Sequence, residues 1–152
     1  MAQTVFENVG ELAAAVGRHL GHSDWLEITQ DSVDLFADAT GDHQWIHVDP
    51  ARAAAGPFGA PIAHGYLTLS LSNLFLPQIV EVRGISAGVN YGADKIRYPA
   101  PVRVGAKVRG GAELLRVDDV PGGVQTTMRI TIEIEGETKP ACVIESVSRY
   151  LA

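Results

Sequence analysis

Apolar positions along the chain follow two different periods, and the change from one to the other falls near residue 80. In the first half, Leu12, Val16 and Leu20 recur every four residues behind Asn8 and Glu11, an Asx variant of the capping box. This spacing predicts a short amphipathic helix that stops at Gly21. A short strand is expected over residues 25–29. Thr29 then has the place of an N-cap, Ile28 and Val33 have the spacing of a hydrophobic staple, and Val33, Phe36 and Ala37 form a helical stripe that Gly41 ends. Asp49-Pro50 reads as an N-cap with proline at the first helical position, opening a turn of helix through Ala55. After the irregular stretch 56–61, a helix is expected from His64-Gly65, apolar on nearly every face between Tyr66 and Leu76 and closed by Pro77. Such a helix belongs inside a fold.

The second half alternates. Ile85, Ala87, Val89 and Tyr91 lie on odd numbers while Ile96 and Tyr98 are even, so one strand must switch facing near Gly92, as at a bulge. Val102 to Val108 alternate, Leu114, Leu115 and Val117 follow, and the run from Val124 to Ile134 alternates cleanly against Gln125, Arg129, Glu133 and Glu135. Pro121-Gly122-Gly123 and Glu135-Gly136-Glu137 are turns, and a last strand runs over 141–151. About five strands joined by short turns imply an antiparallel sheet packed on the apolar helix, an α+β class in one domain over 1–152.

Composition narrows the function. Twelve Lys and Arg against eighteen Asp and Glu give a net charge of −6, which argues against nucleic acid as a partner. The longest apolar stretch, 66–76, is interrupted by Thr68, Ser70, Ser72 and Asn73, and predicts no membrane span. The start MAQTVFENVG lacks a basic region leading into an apolar one, and Cys142 is the one cysteine, so a cytoplasmic location is expected.

Three of the five histidines fall between 43 and 64. Asp42 and His47, on a loop after a helix stop, can converge on one small reactant. From spacing alone, a turn-capping Asp42 and a satisfied, half-buried His47 remain the plainer account. Gly65 offers a backbone N–H at the positive end of a helix, where an oxyanion is stabilised, or else only lets that helix pack closely. His43 and His47 are four apart with His64 beyond, but no helix is expected over 41–50, so no metal site is expected. Lys95, Arg97, Arg103, Lys107 and Arg109 form a run free of acidic residues that could meet phosphates, although a solvated strand face is the plainer account. Cys142 reads as a core residue.

The sequence Gly41-Asp42-His43-Gln44-Trp45-Ile46-His47-Val48-Asp49-Pro50, followed by Pro61-Ile62-Ala63-His64-Gly65, resembles the signature of the MaoC-like (R)-specific enoyl-CoA hydratases, also called hydratase 2. Gln44 and Trp45 stand where that family usually has Asn and Pro, a variant similar to the single hot-dog subgroup that includes nodulation protein N-like sequences. The resemblance implies a hot-dog fold, an antiparallel sheet wrapped around a long central helix, and a homodimer with an acyl-thioester site at its interface. It implies Asp42 and His47 as the catalytic pair and the Gly65 N–H as the oxyanion donor. Ile62, Ala63, His64, Gly88, Val89, Asn90 and Tyr91 would line the acyl and pantetheine path, with Asn73 either a polar group in the pocket or, equally, a hydrogen-bonding residue inside the helix, and Lys95 and Arg97 as candidates for the CoA phosphates.

The expected reaction is hydro-lyase chemistry, the syn addition of water to a trans-2-enoyl-CoA to give the (3R)-3-hydroxyacyl-CoA. It requires no cofactor, because CoA is part of the substrate. Two alternatives stay open: a 3-hydroxyacyl-thioester dehydratase of fatty-acid elongation, which takes acyl carrier protein as partner, and a non-catalytic acyl-CoA-binding protein in which Gln44 and Trp45 reshape the pocket.

Overall fold

The computed structural model describes residues 3–152; residues 1 and 2, on which part of the N-terminal reading rests, lie outside it. Short strand β1 (Thr4–Phe6) leads into two 3-10 turns, Val9–Glu11 and Ala13–Ala15, and then β2 (His19–His22) and β3 (Leu26–Glu27). Helices follow: α1 (Gln30–Thr40), α2 (Trp45–Val48), α3 (Pro50–Ala54), α4 (Gly65–Ser70) and α5 (Ser72–Ile79). The remaining strands are β4 (Val80–Val82), β5 (Ala87–Arg97), β6 (Lys107–Val120), β7 (Gly123–Ile134) and β8 (Cys142–Leu151).

The main sheet has the order β2-β6-β7-β8-β5 with β3 also on β6, and every pairing in it is antiparallel. A separate parallel ladder joins β1 to β4, a pairing that turn logic alone does not foresee. Helix α5 packs on β6 and β2 and α4 against β8, so the sheet covers one side of the continuous helical rod 65–79. Gly110 makes this contact close: a Cβ there would lie 2.8 Å from the Cβ of Phe75, which is fully buried. The core draws on both halves of the chain, from Phe6 and Leu12 to Ile144 and Tyr150.

Helix α1 has the expected ends, with the Thr29 hydroxyl accepting from the Ser32 N–H at 3.2 Å and Gly41 in the left-handed region at φ 83°. Asp49 caps α3 through the Arg52 N–H at 3.2 Å, with Pro50 in its first turn. The facing switch in β5 is also present, as a register shift between Asn90 and Gly92 against β8.

Three expectations are corrected. No amphipathic helix occupies 8–21: Gly17, at φ 88°, breaks the chain after the second 3-10 turn, and Leu20 enters the core from strand β2 while Val16 is 48% exposed. Pro77 does not end the central helix, which runs on to Ile79. The proline faces solvent, and the burial of Ile79 outweighs the one lost amide donor. Nor is the helix buried all round, since Tyr66 is 73% exposed and Leu74 also faces outward. That open side adjoins β5, which is exposed along its whole length and pairs on one edge only. Among the described residues no helix is long and apolar enough to cross a membrane.

Candidate active site

Asp42 follows the left-handed Gly41 that stops α1, and so stands on an exposed loop with its carboxylate only loosely held, by the Gln44 N–H at 3.4 Å. His47 is not on that loop. It lies on α2, a single helical turn that the sequence pattern did not predict. The turn forms because its last groups are held from outside. The Gln30 amide donates to the His47 carbonyl at 2.8 Å, and the Ile62 N–H donates to the Ile46 carbonyl at 3.0 Å. Gln30 is thus a supporting residue that no local pattern marked.

The crossing segment 61–63 is itself pinned to the chain around Val102. The Ala63 N–H donates to the Val102 carbonyl at 2.8 Å and the Val104 N–H to the Pro61 carbonyl at 2.9 Å. This fixes the carbonyl of Ile62, which accepts the His47 Nδ1–H at 2.7 Å. A backbone carbonyl at Nδ1 sets the ring orientation and leaves Nε2 for a reactant. His47 itself is buried.

His64 immediately precedes α4. Its Nε2–H donates to the backbone carbonyl of Asp42 at 3.0 Å, and its ring stacks on His47 with centroids 3.9 Å apart and planes 23° apart. Phe36 packs on its other side at 4.9 Å. A ligand atom from each of Asp42, His47 and His64 lies within 4.8 Å of the others. These are the residue types of a metal site, but the stack does not suit one. Lone pairs of imidazoles lie in the ring planes, and two near-parallel planes do not direct them to one point about 2 Å from both nitrogens. The donor set fits a shared water or proton better.

Gly65 is exposed and begins α4, so its N–H has no intrahelical acceptor, and none among the described residues takes it. It lines a cavity of about 310 Å³ with Ile62, Ala63, Thr68 and Tyr98. A Cβ on Gly65 would lie 3.2 Å from the Tyr98 ring. A second cavity of about 440 Å³ is lined by Phe36, Tyr66, Asn73, Asn90, Tyr91 and Ile96, among others. Gly88 and Val89 border a smaller groove of about 200 Å³ beside Tyr150.

The structure therefore divides the residues expected along the acyl path. Ile62 and Ala63 adjoin Gly65; Asn73, Asn90 and Tyr91 lie in the cavity that reaches Phe36; Gly88 and Val89 lie beyond. Asn73 faces this space with an exposed side chain rather than bonding inside the helix. Asp42 and His47 line neither of the two larger cavities in the single chain.

Two of the expected groups lie apart from these cavities in the single chain. His64, expected to line the path, is 2% exposed and borders neither of these cavities. Lys95 and Arg97 do not face the cavities either. After a second register shift between Ala93 and Lys95, Ile96 is paired with inward-facing Ile144, so alternation turns Lys95 and Arg97 to the outer face with Glu145. The basic run is dispersed further: Arg109 bonds Glu133 at 2.6 Å and lies over Trp25, while Arg103 bonds the Phe58 carbonyl at 2.9 Å, at the rim of the 310 Å³ cavity.

Trp45 packs under Arg52, 4.4 Å from its guanidinium carbon, and over Gly56. Trp45 thus packs against α3, and neither it nor Gln44 lines the 310 or the 440 Å³ cavity in the single chain. Burial pushes the Cys142 thiol up to about 11, which leaves it a core group and not a nucleophile.

Comparison with known proteins agrees with this architecture. The family model of the MaoC like domain matches residues 11–135. The chain is 57% identical over 148 residues to 3-hydroxyacyl-thioester dehydratase Z of Mycobacterium tuberculosis, covering 97% of this chain and 98% of that protein. It is 43% identical over 137 residues to nodulation protein N of Rhizobium leguminosarum, covering 88% and 85%. Among solved structures, the (R)-hydratase from A. caviae superposes with a TM-score of 0.70 at 26% identity over 88% of this chain and 94% of that one. With a helix on an antiparallel sheet, an Asp and a His brought together beside the helix start, and a family match across most of its length, the chain belongs to the MaoC-like family of hot-dog hydratases and dehydratases.

Proposed function

We propose that this protein is an (R)-specific hydro-lyase that interconverts trans-2-enoyl and (3R)-3-hydroxyacyl thioesters, with Asp42 and His47 as its acid–base pair. The observation that carries the reading is the approach of the Asp42 carboxylate and the His47 imidazole, within 4.8 Å of each other, next to the helix that starts at Gly65. In hydration, a water held between the two attacks C3 of the enoyl thioester. The carboxylate removes one of its protons, and the imidazolium returns a proton to C2 on the same face. The electron pair displaced from the double bond passes to the thioester oxygen, and the Gly65 N–H stabilises that oxyanion by donating a hydrogen bond to it. The C2–H bond forms as the carbonyl is restored, and dehydration retraces these steps with the roles reversed. Arg103, at the rim of the cavity that Gly65 lines, is the cation we assign to the phosphates of the thioester carrier.

Because Asp42 and His47 line neither cavity in one chain, a second copy completes the pocket in this reading. It docks along the free edge of β5 and the open side of the central helix, where Tyr66, Leu74 and Tyr91 are exposed. The 57% identity to a protein named as a 3-hydroxyacyl-thioester dehydratase favours dehydration as the working direction and keeps carrier-protein thioesters as substrates beside CoA thioesters.

The test is to mix the purified protein with crotonyl-CoA and with a medium-chain trans-2-enoyl-CoA, follow the loss of conjugated thioester absorbance, and assign the product configuration. The (3R) product is expected. An (S) product, or binding without turnover in either direction on CoA and carrier-protein thioesters, overturns the reading.

A further inference from the structure

We propose that His64 is a positioning residue, which clamps the Asp42 backbone, the His47 ring and the Gly65 N–H into one unit without touching substrate. The inference rests on the reading of Asp42 and His47 given above.

Two contacts made by one side chain, and the residue's place directly before α4, carry it. The Nε2–H of His64 donates to the carbonyl of Asp42, 22 residues away, and so ties the loose loop after α1 to the start of the central helix. Its face lies on His47 at 3.9 Å, which, with the Ile62 carbonyl at the ring edge, leaves that imidazole little freedom to tilt. By chain adjacency, the same residue sets where the first amide of α4 stands.

The residue type fits this role and no plainer one. His64 is 2% exposed with Phe36 packed on it at 4.9 Å, which keeps it from an acyl chain. Its Nδ1 is buried without a partner among the described residues. A buried orphan acceptor is costly, and a phenylalanine would fill the same space without it. What phenylalanine lacks is the donor at the far end of the ring. A flat ring thin enough to stack on His47, carrying an N–H that reaches the Asp42 carbonyl, is what an imidazole supplies.

Two substitutions separate the functions. His64→Phe keeps the flat ring and removes the donor; His64→Gln keeps a donor and removes the ring. Displacing catalytic groups by about 1 Å costs on the order of 10²-fold in rate. Each variant is therefore expected to lose about 10–100-fold in kcat, with KM within about twofold and both limbs of the pH–rate profile retained. Two readouts do not depend on turnover: amides 41–44 should exchange hydrogen faster in His64→Phe, and the His47 ring resonances should shift in both variants. Should His64→Phe not fold, His64→Gln against His64→Asn decides. The longer amide reaches the carbonyl and the shorter does not, so Gln should keep more kcat and more loop protection than Asn.

A rise in KM at unchanged kcat would place His64 on the substrate, loss of one limb of the pH profile would make it a proton carrier, and unchanged kcat with unchanged exchange would remove the clamp; each overturns the proposal. If the wild type turns over no thioester, the hydro-lyase reading fails on its own, while loop exchange and the His47 resonances still decide whether the clamp exists.

Discussion

Gly65→Ala sets stability against activity at a single atom. Gly65 has a negative φ, so alanine fits its backbone, and replacing a helical glycine stabilises by about 0.4–1 kcal/mol, mostly through the unfolded chain. The added Cβ meets Tyr98 at 3.2, 3.3 and 3.4 Å, contacts that need a few tenths of an ångström of relief. Tyr98 can give it, because it follows the last residue of an exposed edge strand and is itself 44% exposed. The net effect on Tm is thus expected to lie between no change and a rise of about 2–4 °C. Activity should move the other way. The methyl group protrudes into the 310 Å³ cavity beside the N–H proposed to bond the thioester oxygen, and holding that oxygen out of reach of the donor would cost about 10²–10³ in kcat, or about 2.7–4 kcal/mol. Thermal unfolding followed by circular dichroism, run beside the crotonyl-CoA absorbance assay on the same preparation, reads both. Full activity in Gly65→Ala would show that the thioester oxygen does not sit in the space the methyl group takes, and would refute this placement of it. A Tm lowered by more than about 10 °C would show that the Tyr98 ring cannot yield, and that the steric reasoning is wrong.

Asp42→Asn should cost about 10²–10⁴ in kcat/KM with Tm within about 2 °C of wild type, because the carboxylate makes no close structural bond; a variant with near-normal turnover counts against the acid–base pair. Gly110→Ala pushes a methyl group against the fully buried Phe75 and should lower unfolding free energy by about 1–3 kcal/mol, read as a lower urea midpoint at unchanged m; an unchanged midpoint would mean the helix is not in close contact with β6 there. His43 is raised above its ordinary value chiefly by its hydrogen bond to Asp38, at 2.9 Å. Protonation of His43 therefore favours the folded state: this contribution is complete below about pH 6.5 and disappears as pH rises through the folded midpoint. An NMR titration should place that midpoint above 6.5 in the wild type and lower it in Asp38→Asn; coincident curves would refute the pairing.

What could be read from the chain depended on whether the signal was local. The ends of α1 were legible because Thr29 and Gly41 act on their own neighbours, and β7 because alternation from Val124 to Ile134 needs no partner to be visible. The region before residue 21 was misread because a spacing of four, as in Leu12, Val16 and Leu20, is one helical turn but also two strand periods. Gly17 and the pairing of β2 with β6 put Leu20 in a strand, while Leu12 joins two 3-10 turns and Val16 ends the second. The Asp42 and His47 types were legible from their motif, yet the helical turn that carries His47 was not, since Trp45, Ile46 and Val48 give it little intrinsic helix propensity. It exists because Gln30 and Ile62 grip it from 17 and 16 residues away. The facing of Lys95 and Arg97 was hidden for a similar reason: a bulge beside Asp94 sets which face they take, and no residue pattern announces it.

The bonds that hold the histidine pair end largely on peptide groups. His47 leans on the carbonyl of Ile62, His64 on the carbonyl of Asp42, and the Ile62 amide returns to Ile46. Meanwhile the Ile62 and Ala63 side chains border the space an acyl tail would enter. In the proposed reaction, selectivity and chemistry are thereby mounted on the same segment through different atoms. Leucine, valine or phenylalanine at position 62 redraws the contour of the pocket while presenting the identical oxygen to the imidazole. Proline there would delete the returning amide and disturb both at once. A lineage or an engineer can thus vary the chain a substrate carries without rebuilding the apparatus that moves its protons.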